Sequence, residues 1–176
     1  MTTLARTVFD LLRTLTMERS VPIGDAALRL GLTLEELAEV AGRCIGWRGM
    51  LQARRAINFL DARSESAGES YSRVLLDRIG IPTPIPQYEV WRQGVLVGRA
   101  DFGWEKFRTL GEFDGKEKYG RLLKPGQTAA DAVFAEKRRE DALRDLGWQI
   151  VRWIWKDPEE LRRRLERAFE RGLRAA

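Results

Sequence analysis

Leu4, Val8, Leu11, Leu12 and Leu15 recur at spacings of three and four, which predicts one buried helical face at the start of the chain. Thr33-Leu34-Glu35-Glu36 has the layout of a capping box, and Leu37 and Val40 continue the apolar stripe behind it. A further helix is expected to bury Met50, Leu51, Ile57 and Leu60, so the first sixty residues read as helical throughout. The small, polar run Asp61 to Ser66 marks a boundary. A helix from Ala67 to about Ile79 follows, stopped by Gly80 and by Pro82, Pro84 and Pro86.

After the prolines the period shortens from helical to extended. Tyr88-Glu89-Val90-Trp91 and Val95-Leu96-Val97 flank Gln93-Gly94, a two-residue hairpin turn, and the second strand runs on to Asp101 and Phe102. A third strand is expected from Phe107 to Asp114, then a loop over Gly115 to Ala129 and a helix from Ala130 to Leu146. Trp148 to Trp155 reads as a mostly buried strand. Asp157 and Pro158 then open a last helix with Leu161, Leu165, Phe169 and Leu173 along one line. The strand before the second helix and the strand after it can share one sheet through a crossover. The expected class is α/β, a mixed sheet with flanking helices over residues 65–176, preceded by a helical subdomain over residues 1–64.

Composition narrows the chemistry. The 176 residues are 44% apolar and 32% charged, enough to bury a core. There is no histidine, which removes Ser-His-Asp and Cys-His nucleophile systems, zinc proteases and HNH-type nucleases. Cys44 is the only cysteine, so disulfide frameworks, zinc knuckles and iron–sulfur clusters are also excluded. The net charge of +5 is spread along the chain and by itself says little about a partner. No stretch has the length of a membrane span and no signal peptide is evident, so a cytoplasmic location is expected. The six tryptophans are expected to be core, because four of them fall in or beside predicted strands.

The acids in the strand run carry the functional interest, because a carboxylate in a strand needs compensation. Glu112 and Asp114 lie two apart, so the pleat puts them on one face, and Asp101 ends the neighbouring strand. Convergence of Asp101, Glu112 and Asp114 would call for a divalent cation, and Mg²⁺ (or Mn²⁺) suits an all-oxygen site. Two plainer readings compete: a solvent-facing pair on an edge strand, and Asp114-Gly115 as a simple turn.

Taken together, Ala100-Asp101-Phe102, Gly111-Glu112-Phe113-Asp114-Gly115, then Arg139, Leu143, Gly147 and Trp148, then Val151, Arg152 and Trp153 form an ordered set. With the order helix, three strands, helix, strand, it resembles the restriction-endonuclease-like PD-(D/E)xK superfamily, and within it the very-short-patch-repair-like endonuclease domains. The resemblance covers residues 66–156. It implies that Asp101 and Glu112 are the metal-binding pair. It also puts Asp114 where the superfamily's consensus has lysine, with Lys116, one pleat on, as a substitute cation. Glu69 resembles the helix glutamate that many members aim into the site; equally, Ser66-Ala67-Gly68-Glu69 is a capping-box pattern. The very-short-patch-repair enzymes also use histidines, which this chain lacks.

Arg138 and Arg139 are candidates for phosphate, although Glu136, Glu140 and Asp141 are spaced to pair with them. Lys118, Tyr119, Arg121 and Lys124 make a basic, aromatic loop segment suited to nucleic-acid backbone, or simply a solvated loop. In the helical part, Leu4-Ala5-Arg6-Thr7-Val8-Phe9-Asp10 resembles the segment of AbiEi-type antitoxin-like proteins that joins a winged helix-turn-helix to a nuclease-like domain. The expected function is a Mg²⁺-dependent nuclease acting on DNA phosphodiesters. The alternative is a non-catalytic nucleic-acid-binding or antitoxin-like regulatory module on a nuclease fold.

Overall fold

A computed structural model describes residues 2–115, 129–155 and 157–175, and the chain divides into two compact units, Met1–Arg78 and Ile79–Ala176. Among the described residues no helix is long and apolar enough to cross a membrane.

The first unit is all helical: α1 (Leu4–Thr14), α2 (Met17–Arg29), α3 (Leu34–Arg43), α4 (Met50–Phe59) and α5 (Ala67–Arg78). The Thr33 capping box forms as expected: Thr33 Oγ1 accepts from the Glu36 amide at 3.1 Å, and Glu36 accepts from the Thr33 amide at 2.9 Å. Val8, Phe9, Leu12, Val21, Leu37, Cys44, Ala53, Ala56 and Val74 close one core. The α1 stripe is rotated from the expected one, with Ala5 and Phe9 buried and Leu4 exposed. On α4 the buried positions are Ala53 and Ala56, and Leu51, expected in the core, is 85% exposed.

The expected boundary at residue 64 and the observed division differ by the helix α5, which packs on α2 within the first unit. The physical reason is a polar knot. Arg73 of α5 pairs with the fully buried Asp25 of α2 at 2.9 Å and donates to Ser64 Oγ at 3.2 Å and to the Phe59 carbonyl. Asp25 also accepts from the Asp61 amide at 2.8 Å. Burial pushes the Asp25 carboxyl above the usual carboxylate range, against the lowering pull of the Asp61 amide, a Ser70 hydrogen bond and Arg73.

The second unit is a four-stranded mixed sheet in the order β1 (Ile85–Arg92), β2 (Val95–Trp104), β3 (Thr109–Phe113), β4 (Gln149–Trp153), with α6 (Ala129–Asp145) and α7 (Pro158–Ala175). β1, β2 and β3 form an antiparallel meander, and β4 lies parallel to β3. Gln93 and Gly94 at the hairpin both have positive φ, 50° and 79°, the requirement of a type I′ turn. A 3₁₀ turn at Glu105–Phe107 joins β2 to β3. As expected, Asp157 caps α7, accepting from the Glu160 amide at 2.9 Å.

Leu110, Trp148 and Ile150 pack with Leu143 of α6 and with Leu146 just beyond it on one face of the sheet. Trp104, Phe107 and Trp153 belong to the opposite face: Phe107 and Trp104 have ring centroids 4.4 and 5.4 Å from Phe169 of α7. Gly111 is required there, because a Cβ would come within 2.7 Å of the Trp153 ring. Only Trp104, Trp148 and Trp153 are core; Trp47, Trp91 and Trp155 are exposed, which corrects the expectation for the six as a group. Strand membership set how many rings could be buried, but the edge strand and the strand ends leave one side open.

Candidate functional site

The register places the two expected acids on neighbouring strands. Phe102 pairs with Gly111, so Asp101 and Glu112 are the next residues outward on β2 and β3. There the ladder is continued by a side chain: Asp101 Oδ2 accepts from the Phe113 amide at 2.8 Å. A carboxylate that accepts a main-chain amide is fixed in direction, so Asp101 is an oriented group on the sheet.

Glu112 follows the α6 face, two residues from Leu110, and its register partner on β4 is Arg152. Arg152 Nε donates to Glu112 Oε2 at 2.7 Å, and Arg139 of α6 donates to Glu112 Oε1. Both oxygens of Glu112 are therefore held by guanidinium groups. Arg139 is shared with Glu136, Nε to Oε2 at 2.8 Å, and Arg152 reaches Glu136 and Glu140, the latter at 3.1 Å. Hydrogen bonds from Arg139, with further help from Arg152, hold the Glu136 carboxyl below its usual range against the opposing effect of burial. Glu136 and Glu112 raise Arg139 above its already high value. Arg144 also pairs with Glu140, so three arginines face three glutamates and the cluster is balanced in charge.

Asp114 lies just past β3, half-buried, and its amide extends the parallel ladder to the Trp153 carbonyl at 2.8 Å. Among the described residues no group of three or more acids and cysteines stands close enough to hold a metal ion. The expected three-carboxylate cluster of Asp101, Glu112 and Asp114 is thus not assembled. Glu112 is neutralised by arginines rather than left to repel its neighbours, which answers the electrostatic need by another route.

Glu69 sits in the first unit at the start of α5, in a capping-box-like arrangement whose reach-back bond goes to the Glu65 amide. It accepts from Ser66 Oγ at 2.7 Å and from the Glu65 amide at 2.8 Å, while Ser66 Oγ accepts from the Glu69 amide at 3.2 Å. That is the plainer of its two readings. Arg139 faces Glu112 and Glu136, whereas Arg138 is exposed. Lys116, Lys118, Tyr119, Arg121 and Lys124 lie outside the described residues. Sequence reasoning named Arg152 only as part of a motif. Its role as the β4 anchor of Glu112 follows from the parallel register, for which the crossover was the one available signal.

Fold and site together define a two-unit chain: a helical unit, and an α/β unit with a charge-balanced glutamate–arginine cluster on the α6 face of a mixed sheet. Two curated Mycobacterium tuberculosis proteins, from strains CDC 1551 / Oshkosh and ATCC 25618 / H37Rv, are each 31% identical to it over 176 aligned residues. Both are described only as uncharacterized. The alignment covers 97% of this chain and 62% of each relative, so the chain spans less than two thirds of their length. No family model and no solved structure matches the chain.

Proposed function

We propose that the α/β unit is a nuclease-like domain of the PD-(D/E)xK kind, acting on DNA phosphodiesters with Asp101 and Glu112 as its acidic pair. The observation that carries this reading is the strand arrangement. An antiparallel meander places Ala100-Asp101-Phe102 beside Gly111-Glu112-Phe113, and a parallel fourth strand follows beyond a helix. This is the element order on which the resemblance rests.

The donor set suits a hard cation such as Mg²⁺ or Mn²⁺, which needs only one or two protein carboxylates when water and substrate phosphate complete its shell. Asp101 and Glu112 are the residues that would hold it, Glu112 at the expense of an arginine contact. When bound, such an ion supplies Lewis-acid stabilisation of charge on a phosphate. The chain's own part is distinct. The Phe113 amide orients Asp101, and Arg152 and Glu136 fix Arg139 beside Glu112.

A second reading has its own support. Both Glu112 oxygens are committed to guanidinium groups, which favours a non-catalytic nucleic-acid-binding or antitoxin-like regulatory module. Plasmid and oligonucleotide cleavage in Mg²⁺ or Mn²⁺, against EDTA and an Asp101→Asn, Glu112→Gln double variant, separates the two. Metal-dependent cleavage that the double variant loses is the expected result. No cleavage under any metal, or equal cleavage by the variant, overturns the catalytic reading and leaves the second. Calorimetric Mn²⁺ binding that survives the double substitution overturns the site.

A further inference from the structure

We propose that the outward face of α4 is a docking surface for the phosphate backbone of duplex DNA. Leu51, Arg54, Arg55 and Asn58 are spaced three, four and seven residues from the first, so they form one stripe along the helix. All four are exposed, and the buried side of α4 is made by Ala53 and Ala56. A shallow groove of about 430 Å³ runs along the stripe, lined by Leu51, Arg54, Arg55, Asn58 and Phe59. Arg48, also exposed, lies in the turn that precedes α4, where Gly46 and Gly49 both hold φ at 85°.

Charge decides the occupant. Between Glu39 and Asp61 the chain carries Arg43, Arg48, Arg54 and Arg55 and no acid. Arg43 is paired along its own helix with Glu39, as Arg162 is with Glu166 and Arg163 with Glu160 on α7. Among the described residues no acid pairs with Arg48 or Arg54. Arg55 meets Asp77 at 3.1 Å, but both side chains are largely exposed, and such a pair is worth little and exchanges readily for a phosphate. Arg54 without an ion pair and Arg55 with only an exposed one, side by side on one helix face, complement a polyanion. An α-helix has the width the DNA major groove admits, and arginine and asparagine are the side chains that pair with base edges there. Leu51, 85% exposed, supplies apolar contact at the same stripe. In sequence the acids Glu35, Glu36 and Glu39 of α3 and Asp61 flank this basic stretch and offset its charge.

The test is fluorescence anisotropy of a labelled DNA duplex with the full chain in EDTA, which keeps it independent of any metal at Asp101 and Glu112. Salt is varied from about 50 to about 200 mM. An Arg48→Ala, Arg54→Ala variant is expected to bind at least about tenfold more weakly, with the log–log salt slope reduced by about 2, as two lost phosphate contacts require. Circular dichroism melts should match wild type. The Arg48→Lys, Arg54→Lys variant should retain most binding, and Arg163→Ala on α7 should bind as wild type does. Unchanged affinity and slope in the alanine variant overturn the proposal, and so does an equal loss in the lysine variant. Polyglutamate competing as well as unlabelled duplex also overturns it, by assigning the face to an acidic protein.

Discussion

Replacing Arg73 by Met keeps most of the side chain's apolar stem and removes its charge, leaving Asp25 buried without a counter-ion. Asp25 is 0% and Arg73 11% exposed, so solvent does little to screen the pair. Breaking a buried pair by removing one partner costs about 3–5 kcal/mol. Arg73 also bonds Ser64 and the Phe59 carbonyl and lies over the Phe59 ring at 4.9 Å, so the upper part of that range is expected. Stabilities of about 0.05–0.15 kcal/mol per residue make this a large fraction of what a unit of this size possesses. With a urea slope of about 1–3 kcal/mol per M, the unfolding midpoint should fall by at least about 1 M. The sign of the pH dependence follows from Asp25, whose carboxyl is already raised by burial and rises further without Arg73. The deficit is full where Asp25 is ionised and narrows as pH falls through its raised value, because the neutral acid needs no counter-ion. Adding Asp25→Asn should recover part of the loss at neutral pH. A midpoint within about 0.3 M of wild type, equal to about 1 kcal/mol or less, would refute this account of what binds α5 to α2.

Two further outcomes concern the α/β unit. In Gly172→Ala on α7, the new Cβ overlaps the Phe107 carbonyl oxygen, so α7 must shift from the 3₁₀ turn. A loss of about 1–3 kcal/mol is expected by thermal melting, and a melt unchanged from wild type would contradict that close approach. Glu136 is held below its ordinary value of 4.5 by Arg139, so its stabilisation is complete above that pH and is lost as pH falls through the lowered value. Glu136→Gln should therefore melt below wild type near neutrality, with the difference closing in acid. A gap independent of pH would contradict the pairing.

Local chemistry made much of the fold legible. Gln93-Gly94 is written for a type I′ turn, Thr33 and Asp157 for helix starts, and Gly80 for the α5 stop, where φ is 73°. The mixed sheet followed from periodicity and the crossover. What stayed hidden depends on partners far away in the chain. Nothing near Arg73 signals that its carboxylate lies on α2, and no local pattern tells that Leu51 faces outward while Ala53 and Ala56 face in. The same holds at the site. The Glu136–Arg139 spacing is visible on one helix, but the bond from Arg152 to Glu112 needs the parallel register of β3 and β4. A strand pattern can place acids together, yet it cannot say whether an ion or an arginine will neutralise them.

Cys44, the sole cysteine, is 1% exposed in the core of the helical unit, and five of the six tryptophans belong to the α/β unit. The chain thus carries a separate native reporter for each half. Thiol labelling with a water-soluble reagent reads transient opening of the helices alone, and indole fluorescence reads chiefly the sheet. Comparing the two rates in one sample would tell whether the halves unfold as one cooperative body or as two.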